Sequence, residues 1–386
     1  MRLANRVASL PPYLFAEVSK KIAQRRAAGH DVISLGIGDP DLSTPPHIVE
    51  AMAEFVHDPT THHYPESEGL PEFRQAVAEW YERRFSVTLD PKKEIISLIG
   101  SKEGIGHIAL CVIDPGDIAL VPDPGYPVYS VGTMFAGGWS YYLPLKEENG
   151  FLPDLDAVPD QVAHRAKVLW LNYPNNPTGA VAPVEFFERA IAFAKKHDLL
   201  ICHDGPYADV AYEGYRPMSF LEVPGAKDVG IEFNSLSKMY NMTGWRIGVA
   251  VGNAQAVDAL LRVKTNLDSG VFAAVQRAAI VALRGPQDEI PRHNAIYQRR
   301  RDLTVATLRE MGLSVQPPKA SLYIWARIPA GYTSMQFSTK VLEESDVFVT
   351  PGIGYGPNGD NYIRISLTVP DKRLDEAMAR LRKLRF

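Results

Sequence analysis

Short, almost continuously apolar runs alternate with helical stretches along most of this 386-residue chain. Strands that helices bury on both faces have this composition, because neither face needs polar side chains. The pattern therefore predicts an α/β fold with a mostly parallel central sheet flanked by helices. The apolar runs are EIISLI, DIALV, KVLWLNY, DLLICHD, VGIEFNS and RIGVAVG, and the helical stretches cover 47–57, 71–85, 102–113 and 183–197.

The pattern changes near residue 286, which predicts a second and smaller α+β domain. A long helical stretch leads there to two short strands, near 322–326 and 362–366, and to a final helix over about 371–384. Another helix, over 14–28, precedes the alternating region. We expect an N-terminal arm over 1–45 that contributes to the small domain, a large ligand-binding domain over 46–285, and a small C-terminal domain over 286–386.

The composition argues against several classes of protein. A net charge of -4 and an isoelectric point of about 6.2 do not suit a general nucleic-acid binder, which usually carries a basic excess. Cys111 and Cys202 each lie in an apolar run, so we expect buried free thiols, no metal site and a reducing compartment. No apolar run approaches the roughly 18 residues of a membrane span, and the first residues lack an apolar leader. We therefore expect a cytoplasmic protein without a membrane partner.

Polar residues follow the predicted strands at the points where these strands end. In an open α/β sheet, ligands bind beyond the carboxyl ends of the strands. Each residue alone has a simpler explanation as a turn residue, a helix cap, a packed aromatic or a solvated lysine. Their occurrence after successive strands instead indicates one ligand site. The residues are Ser101 in GSKEG, Tyr126 in PDPGYP, Asn176 in PNNPTG, Asp204 and Tyr207 in HDGPY, and Lys238 in SLSK.

This set of side chains suits one cofactor, pyridoxal phosphate. Lys238 would form a Schiff base with its aldehyde and, once freed, would move a proton at the substrate Cα. The carboxylate of Asp204 would keep the ring nitrogen protonated, and Tyr126 would lie against the ring. Asn176 and Tyr207 would reach the phenolic oxygen. The expected phosphate ligands are Ser101 with the amides that follow it, Ser235, Ser237 and Arg246.

Five motifs resemble, in the same order, those of the class I and II aminotransferases of pyridoxal-phosphate fold type I. They are PDPGYP, NYPNNPTG, HDGPY, SLSKMYNMTGWRIG and NYIRIS. Within that family, YPESEGLPEFR, GSKEGI and PLKEENGFLPDL are most similar to the LL-diaminopimelate aminotransferases. The resemblance implies the cofactor roles given above and adds Lys102 to the phosphate site. Two departures, Gly205-Pro206 before Tyr207 and Met239 beside the lysine, leave the implied cofactor residues intact.

The resemblance also implies residues for a substrate and for a partner. Arg364 would clamp the substrate carboxylate with its guanidinium fork. Its position in NYIRISL, opposite to Ile363 and Ile365, would otherwise suit a surface arginine on an edge strand. Tyr64 would reach the phosphate of a neighbouring subunit, which implies a homodimer with shared active sites. The implied substrate pocket consists of Tyr13, Gly38, Lys102, Tyr126, Asn176 and Arg364.

The implied reaction transfers an amino group from LL-2,6-diaminopimelate to 2-oxoglutarate. The charged distal end of this substrate needs partners, for which Lys102 and Glu103 are candidates, although both also suit the first turn of any helix. The alternatives are an aminotransferase for aspartate, aromatic or alanine-type substrates, a pyridoxal-phosphate C–S lyase, and a regulator with a fused DNA-binding module. A dinucleotide-binding oxidoreductase is not supported, since LGIGDPDL has Asp41 where Gly-x-Gly-x-x-Gly needs its third glycine.

Overall fold

The computed structural model describes residues 1–10 and 14–386, with side chains described for 1–10 and 19–386. Within these residues, no helix combines the length and the apolar composition that crossing a bilayer requires. The strands are β1 (Ile33–Ser34), β2 (Ile95–Leu98), β3 (Ile118–Asp123), β4 (Trp139–Pro144), β5 (Ala166–Leu171), β6 (Leu200–Asp204), β7 (Gly230–Ser235), β8 (Gly248–Gly252), β9 (Ser314–Val315), β10 (Tyr323–Arg327), β11 (Val347–Phe348), β12 (Thr350–Pro351) and β13 (Tyr362–Ser366). The helices are α1 (Asn5–Ala8), α2 (Leu14–Ala27), α3 (Pro46–Phe55), α4 (Pro71–Phe85), α5 (Ser101–Val112), α6 (Val128–Phe135), α7 (Asp160–Ala163), α8 (Val184–His197), α9 (Ala226–Val229), α10 (Leu236–Met239), α11 (Ala254–Leu267), α12 (Ala273–Arg284), α13 (Glu289–Glu310), α14 (Ser334–Ser345) and α15 (Asp371–Leu381).

The central sheet has seven strands in the order β2-β8-β7-β6-β5-β3-β4. All its strands are parallel except β8, which pairs antiparallel with both β2 and β7. Each of the six predicted apolar runs forms a strand of this sheet. The α/β fold with a mostly parallel sheet is therefore confirmed. Cys111 and Cys202 are free thiols, as expected, but only Cys202 is buried, whereas Cys111 is half-buried because it lies on the outer side of α5.

Helices cover both faces of the sheet, which explains why its strands are apolar throughout. On β5, Val168 and Trp170 belong to one apolar core, whereas Leu169 and Leu171 belong to another on the opposite face. The helix α8 shows how one such layer forms, since its buried residues recur on one side of the helix. It ends where Asp198 adopts a left-handed conformation, with φ of 54°.

The strand β4 lies outside the predicted elements, as do the helices α6, α11 and α12. β4 forms the outer edge of the sheet, where Trp139 and Tyr142 remain exposed to solvent. A strand in this position needs no continuous aliphatic run, so WSYYLP lacks the pattern by which the inner strands are predicted.

A second sheet has the order β12-β13-β10-β9 and is antiparallel. The register pairs Arg364 of β13 with Trp325 on one side and Thr350 on the other, so this strand is internal. The alternative of a surface arginine on an edge strand is therefore wrong. Ile363 and Ile365 point into the apolar core beneath this sheet. The division of the chain at residues 45 and 285 stays a prediction.

Candidate active site

One edge of the central sheet carries most of the predicted site residues. The strands β2, β3, β5, β6 and β7 end at this edge, and the antiparallel β8 begins there. A cavity of about 440 Å³ opens at this edge, a volume usual for small-molecule sites. The predicted residues that line it are Gly38, Ser101, Lys102, Tyr126, Asn176, Asp204, Tyr207, Ser235, Ser237, Lys238, Arg246 and Arg364.

A second surface cavity, of about 490 Å³, lies at the opposite edge of the sheet. It is lined by Cys111, Lys167 and Lys195, among others, near the amino ends of β5 and β6. None of the predicted site residues that the structure describes lines it. Its larger volume therefore does not make it the better candidate, since ligands of open α/β sheets bind at the carboxyl ends of the strands.

Lys238 follows β7 closely and lines the first cavity. The side chain of Ser235 accepts a hydrogen bond from the Ser237 N–H at 3.1 Å, which turns the chain into α10 at the end of the strand. The ammonium of Lys238 donates to the Gly38 carbonyl at 2.7 Å. Burial lowers the pKa of Lys238, although the nearby Tyr323 opposes this shift. The lowered pKa favours the neutral amine, which is the nucleophilic form of a lysine.

Asp204 is the last residue of β6 and is buried. Its Oδ2 accepts a hydrogen bond from the Tyr129 hydroxyl at 2.7 Å, and its Oδ1 has no hydrogen-bond partner among the described residues. Burial raises the pKa of Asp204 to about 6, although Tyr129 and His203 act to lower it. A buried carboxylate with one unpartnered oxygen is a site for an N–H or cationic group of a ligand.

Arg364 is buried between aromatic rings. Its Nη1 donates to Asn176 Oδ1 at 2.8 Å, and its Nη2 donates to the Gly36 carbonyl at 2.6 Å. The guanidinium carbon lies 4.0 Å from the ring centroid of Tyr323 and 4.8 Å from that of Tyr355. The Nε has no partner within the described part of the chain. A guanidinium held in this way, whose buried Nε–H has no partner among the described residues, suits a carboxylate ligand.

The start of α5 and Arg246 together form a site for an anion. Gly100 precedes the helix with φ of 74°, and a Cβ at this position would lie 2.1 Å from Nη2 of Arg246. The glycine therefore allows the guanidinium to approach the helix start. Ser101 and Lys102 belong to the first turn, where backbone N–H groups lack intrahelical acceptors. Such N–H groups beside an arginine can hold a phosphate.

Tyr323 and Tyr355 line the same cavity but lie outside the sequence predictions. The hydroxyls of Tyr323 and Tyr207 are 3.1 Å apart. Burial raises the pKa of Tyr207 well above its usual value. Burial also raises the pKa of Tyr323, but Arg364 and Lys238 outweigh this effect and the net shift is downward. The only signal in SLYIWAR is a tyrosine on an otherwise apolar strand, whose hydroxyl needs a partner.

Two described residues considered in the sequence, Tyr64 and Glu103, do not line this cavity. Tyr64 is 90% exposed in the single chain, as a residue reaching a neighbouring subunit would be. Tyr13 lies outside the described residues. The carboxylate of Glu103 is bonded to His107 and Lys264 outside the cavity. Its assignment to the distal end of the substrate is therefore wrong, and the simpler explanation as a first-turn residue holds.

Comparisons with known proteins show the family of this chain. The chain matches the family model described as aminotransferase class I and II over residues 30–381. It is 60% identical over 381 residues to an LL-diaminopimelate aminotransferase of Dehalococcoides mccartyi, covering 99% of this chain and 98% of the relative. An LL-diaminopimelate aminotransferase of Moorella thermoacetica is 56% identical over 384 residues, covering 100% and 98%.

A solved structure shares both the fold and much of the sequence. Apo-BacF from Bacillus subtilis has a TM-score of 0.96 and 41% identity, covering 100% of this chain and 99% of that chain. The match extends over both sheets, so the likeness includes the edge at which the cavity lies. The chain therefore belongs to the class I and II aminotransferases and is a transaminase that depends on pyridoxal phosphate.

Proposed function

We propose that this chain is an LL-2,6-diaminopimelate:2-oxoglutarate aminotransferase. The amino group of the donor passes to 2-oxoglutarate, which leaves as glutamate. The 2-amino-6-oxo acid that remains cyclises with loss of water to tetrahydrodipicolinate. In cells the reaction would run toward LL-diaminopimelate, for lysine and peptidoglycan synthesis. The observation that carries the substrate assignment is the identity of 60% over 99% of the chain with a relative of that name.

The polar groups of pyridoxal phosphate find suitable partners in the cavity. The unpartnered Oδ1 of Asp204 suits a protonated ring nitrogen. The start of α5 beside Arg246 suits the phosphate dianion, because N–H dipoles and a cation converge there. When bound, the cofactor supplies an aldehyde for exchange with amines and a ring that withdraws electrons. The other side chains assigned to it are Ser101, Lys102, Tyr126, Asn176, Tyr207, Ser235, Ser237 and Lys238.

Lys238 is assigned the proton transfer at the substrate Cα. Its hydrogen bond to the Gly38 carbonyl places the amine at one wall of the cavity. The lowered pKa increases the share of neutral amine, which can accept a proton. The contact between the hydroxyls of Tyr207 and Tyr323 restrains the phenol of Tyr207, which is assigned to the phenolic oxygen of the cofactor.

Arg364 is assigned the substrate α-carboxylate. Its buried Nε–H has no partner among the described residues, so a carboxylate would satisfy this group without displacing Asn176 or Gly36. Lys102 is exposed at the cavity and is assigned the distal carboxylate. The other residues proposed for the substrate pocket are Tyr13, Gly38, Tyr126 and Asn176.

The proposal also covers the assembly and the location of the protein. A homodimer would bring Tyr64 of one subunit to the phosphate in its partner, which agrees with the 90% exposure of this side chain in the single chain. The proposed location is the cytoplasm, where two free cysteines are typical. The proposed domain division stays as 1–45, 46–285 and 286–386.

The substrate assignment is tested with a panel of amino donors and 2-oxoglutarate. The donors are LL- and meso-diaminopimelate, aspartate, alanine and tyrosine, and the measurement is kcat/KM for glutamate formation. We expect LL-diaminopimelate to exceed the monoamino donors by roughly 100-fold or more, because a pocket with charged partners rejects a substrate that leaves them unpaired. Preference for aspartate, alanine or tyrosine would contradict the assignment. Lys238→Ala should abolish turnover, whereas Lys195→Ala, at an exposed ion pair with Asp228, should not.

Cystathionine separates transamination from C–S cleavage on the same site. A transaminase forms glutamate in the presence of 2-oxoglutarate, whereas a C–S lyase releases pyruvate without any oxo acid. We expect no pyruvate above the rate found with Lys238→Ala. Rapid release of pyruvate would favour the lyase alternative.

A further inference from the structure

A lysine outside the cavity has its charge buried completely. Lys264 lies on α11, and its side chain is 0% exposed. Its Nζ donates to Glu103 Oε2 at 3.1 Å and to Asp268 Oδ1 at 2.8 Å. Removing an ammonium from water costs several kcal/mol, on the order of what a well-placed pair of carboxylates returns. Such a cluster contributes little net stability, so its main effect is to hold its members in fixed positions.

The first of these carboxylates belongs to the turn that contains the anion site. Glu103 lies in the first turn of α5, and its Oε2 also accepts a hydrogen bond from the Ile99 N–H at 2.9 Å. The other oxygen, Oε1, pairs with His107 Nδ1 at 2.9 Å. The side chain therefore closes the segment from 99 to 103 into a fixed turn. Gly100 and Ser101, which form the proposed phosphate site, lie inside this turn.

The second carboxylate connects the same lysine to the loop that carries Tyr64. Asp268 Oδ1 accepts a hydrogen bond from the Gly270 N–H at 2.8 Å. Gly270 has φ of 83°, and a Cβ there would lie 3.0 Å from the Glu66 carbonyl and 3.3 Å from Pro65. One ammonium thus fixes both the phosphate turn of its own chain and the backbone support of a loop assigned to the partner's site.

The ammonium also explains why three potential metal ligands meet here. Ligand atoms of Glu103, His107 and Asp268 lie within 4.8 Å of one another. Lys264 Nζ contacts both carboxylates at hydrogen-bond distances, so a cation already occupies the position between them. A metal ion would have to displace a buried cation, and we assign the cluster to the lysine.

We propose that Lys264 is a positioning residue for the phosphate group of the cofactor. It acts through Glu103, which holds the helix start of α5 in the conformation that presents its N–H groups. The inference rests on the proposed phosphate site at Ser101 and Arg246. Lys264 itself does not line the cavity, so it acts on the phosphate only through the turn.

The test compares two ligands of the cofactor-free protein, pyridoxal phosphate and pyridoxal, which lacks the phosphate. Affinities are measured by equilibrium dialysis for the wild type and for Lys264→Met, which keeps the length of the side chain. We expect pyridoxal phosphate to bind roughly tenfold more weakly, a size usual for the loss of a group that orients a ligand-binding residue, whereas pyridoxal binding stays unchanged. The control is Lys227→Met, which removes a lysine paired with Glu94 at 3.0 Å away from the cavity, and should change neither affinity.

A second variant allows the proposal to be tested even if Lys264→Met does not fold. Glu103→Gln keeps an acceptor for the Ile99 N–H but removes the negative charge facing Lys264, and should lower the preference for pyridoxal phosphate over pyridoxal. The proposal is overturned if both ligands weaken equally in the folded variants, or if neither does. Arg246→Met checks the underlying phosphate site. If this variant keeps the full preference for pyridoxal phosphate, the assignment of the phosphate site is wrong. The proposed role of Lys264, which depends on that site, is then wrong as well.

Discussion

At the scale of single residues, the buried carboxylate of Asp204 suits a ligand but lowers the stability of the cofactor-free protein. Its carboxyl pKa is about 6 in the folded protein, against 3.8 for an unperturbed aspartate, because the side chain is buried. Between these pH values the folded state binds more protons than the unfolded state does. The free energy of unfolding of the cofactor-free protein therefore falls as pH rises from about 4 to 6. Above about pH 6, the buried charge of Asp204 lowers the free energy of unfolding by on the order of 3 kcal/mol.

Asp204→Asn should remove both the destabilising buried charge and the contact with the cofactor. We expect the cofactor-free variant to be more stable than the wild type at pH 7.5 by on the order of 3 kcal/mol, with the difference absent near pH 4. The measurement is urea unfolding of both cofactor-free proteins at the two pH values. Transamination by the variant should fall by at least about 100-fold, since an amide does not keep a ring nitrogen protonated. An equal difference in stability at both pH values would rule out the charge as the cause.

Residue chemistry explains which site members the sequence could predict. Lys238, Asp204 and Arg246 were predictable because their polar side chains follow or precede apolar strands. Tyr323 was not, since its role depends on Tyr207, whose hydroxyl lies 3.1 Å away across 116 residues of chain. The sequence offers no signal for a contact between two such distant tyrosines.

At the scale of elements, the start of α5 depends on a glycine whose backbone and missing Cβ both matter. Gly100 has φ of 74°, and a Cβ there would collide with the end of the Arg246 side chain. The flexible guanidinium would move aside rather than break the fold. It would then leave its contact with the Ile99 carbonyl, at 3.4 Å, and the proposed phosphate site.

Gly100→Ala should therefore weaken the binding of pyridoxal phosphate, by roughly tenfold, in a dialysis measurement on the cofactor-free protein. Gly116→Ala is the matched control, since Gly116 has φ of 95° and no atom within 4 Å of an added Cβ. Both variants place alanine at a positive φ, which costs on the order of 1–3 kcal/mol of backbone strain, but only Gly100→Ala displaces Arg246. If affinity for pyridoxal phosphate falls by the same factor in both variants, backbone strain rather than the collision with Arg246 causes the loss.

The elements themselves were predictable where both faces are buried. The apolar runs correspond to β2, β3, β5, β6, β7 and β8, and α4 has the predicted bounds of 71–85. The edge strand β4 escaped prediction because most of its side chains are exposed or half-buried, and only Leu143 is buried. The direction of β8 was also outside the reach of the sequence, yet it is this reversal that brings Arg246 to the same edge as Lys238.

At the scale of the whole molecule, the proposed dimer makes each active site a product of two chains. Lys238 and Arg364 line one cavity within a chain, whereas Tyr64 is exposed and does not. A subunit that lacks Tyr64 should therefore damage its partner's cofactor site rather than its own.

Mixing two defective variants tests this arrangement. Lys238→Ala and Tyr64→Ala chains, unfolded together and refolded, should recover about a quarter of the wild-type activity at limiting cofactor, since half of the dimers are mixed and each has one intact site. The control mixes Lys238→Ala with Arg364→Ala, whose residues share one chain's cavity, so no mixed dimer has an intact site. Activity recovered in both mixtures, or in neither, would contradict a site that Tyr64 completes from the partner.

The sequence by itself determined six strands of the central sheet and the polar residues that gather at one of its edges. This follows because parallel strands end on the same side, so residues after successive apolar runs must meet there. Only the tertiary structure decided how these residues are held. Glu103 lies outside the cavity because it pairs with Lys264, 161 residues later, and Arg364 is internal because β13 pairs on both sides. Both outcomes depend on contacts between distant segments of the chain, and the local composition of a segment does not predict such contacts.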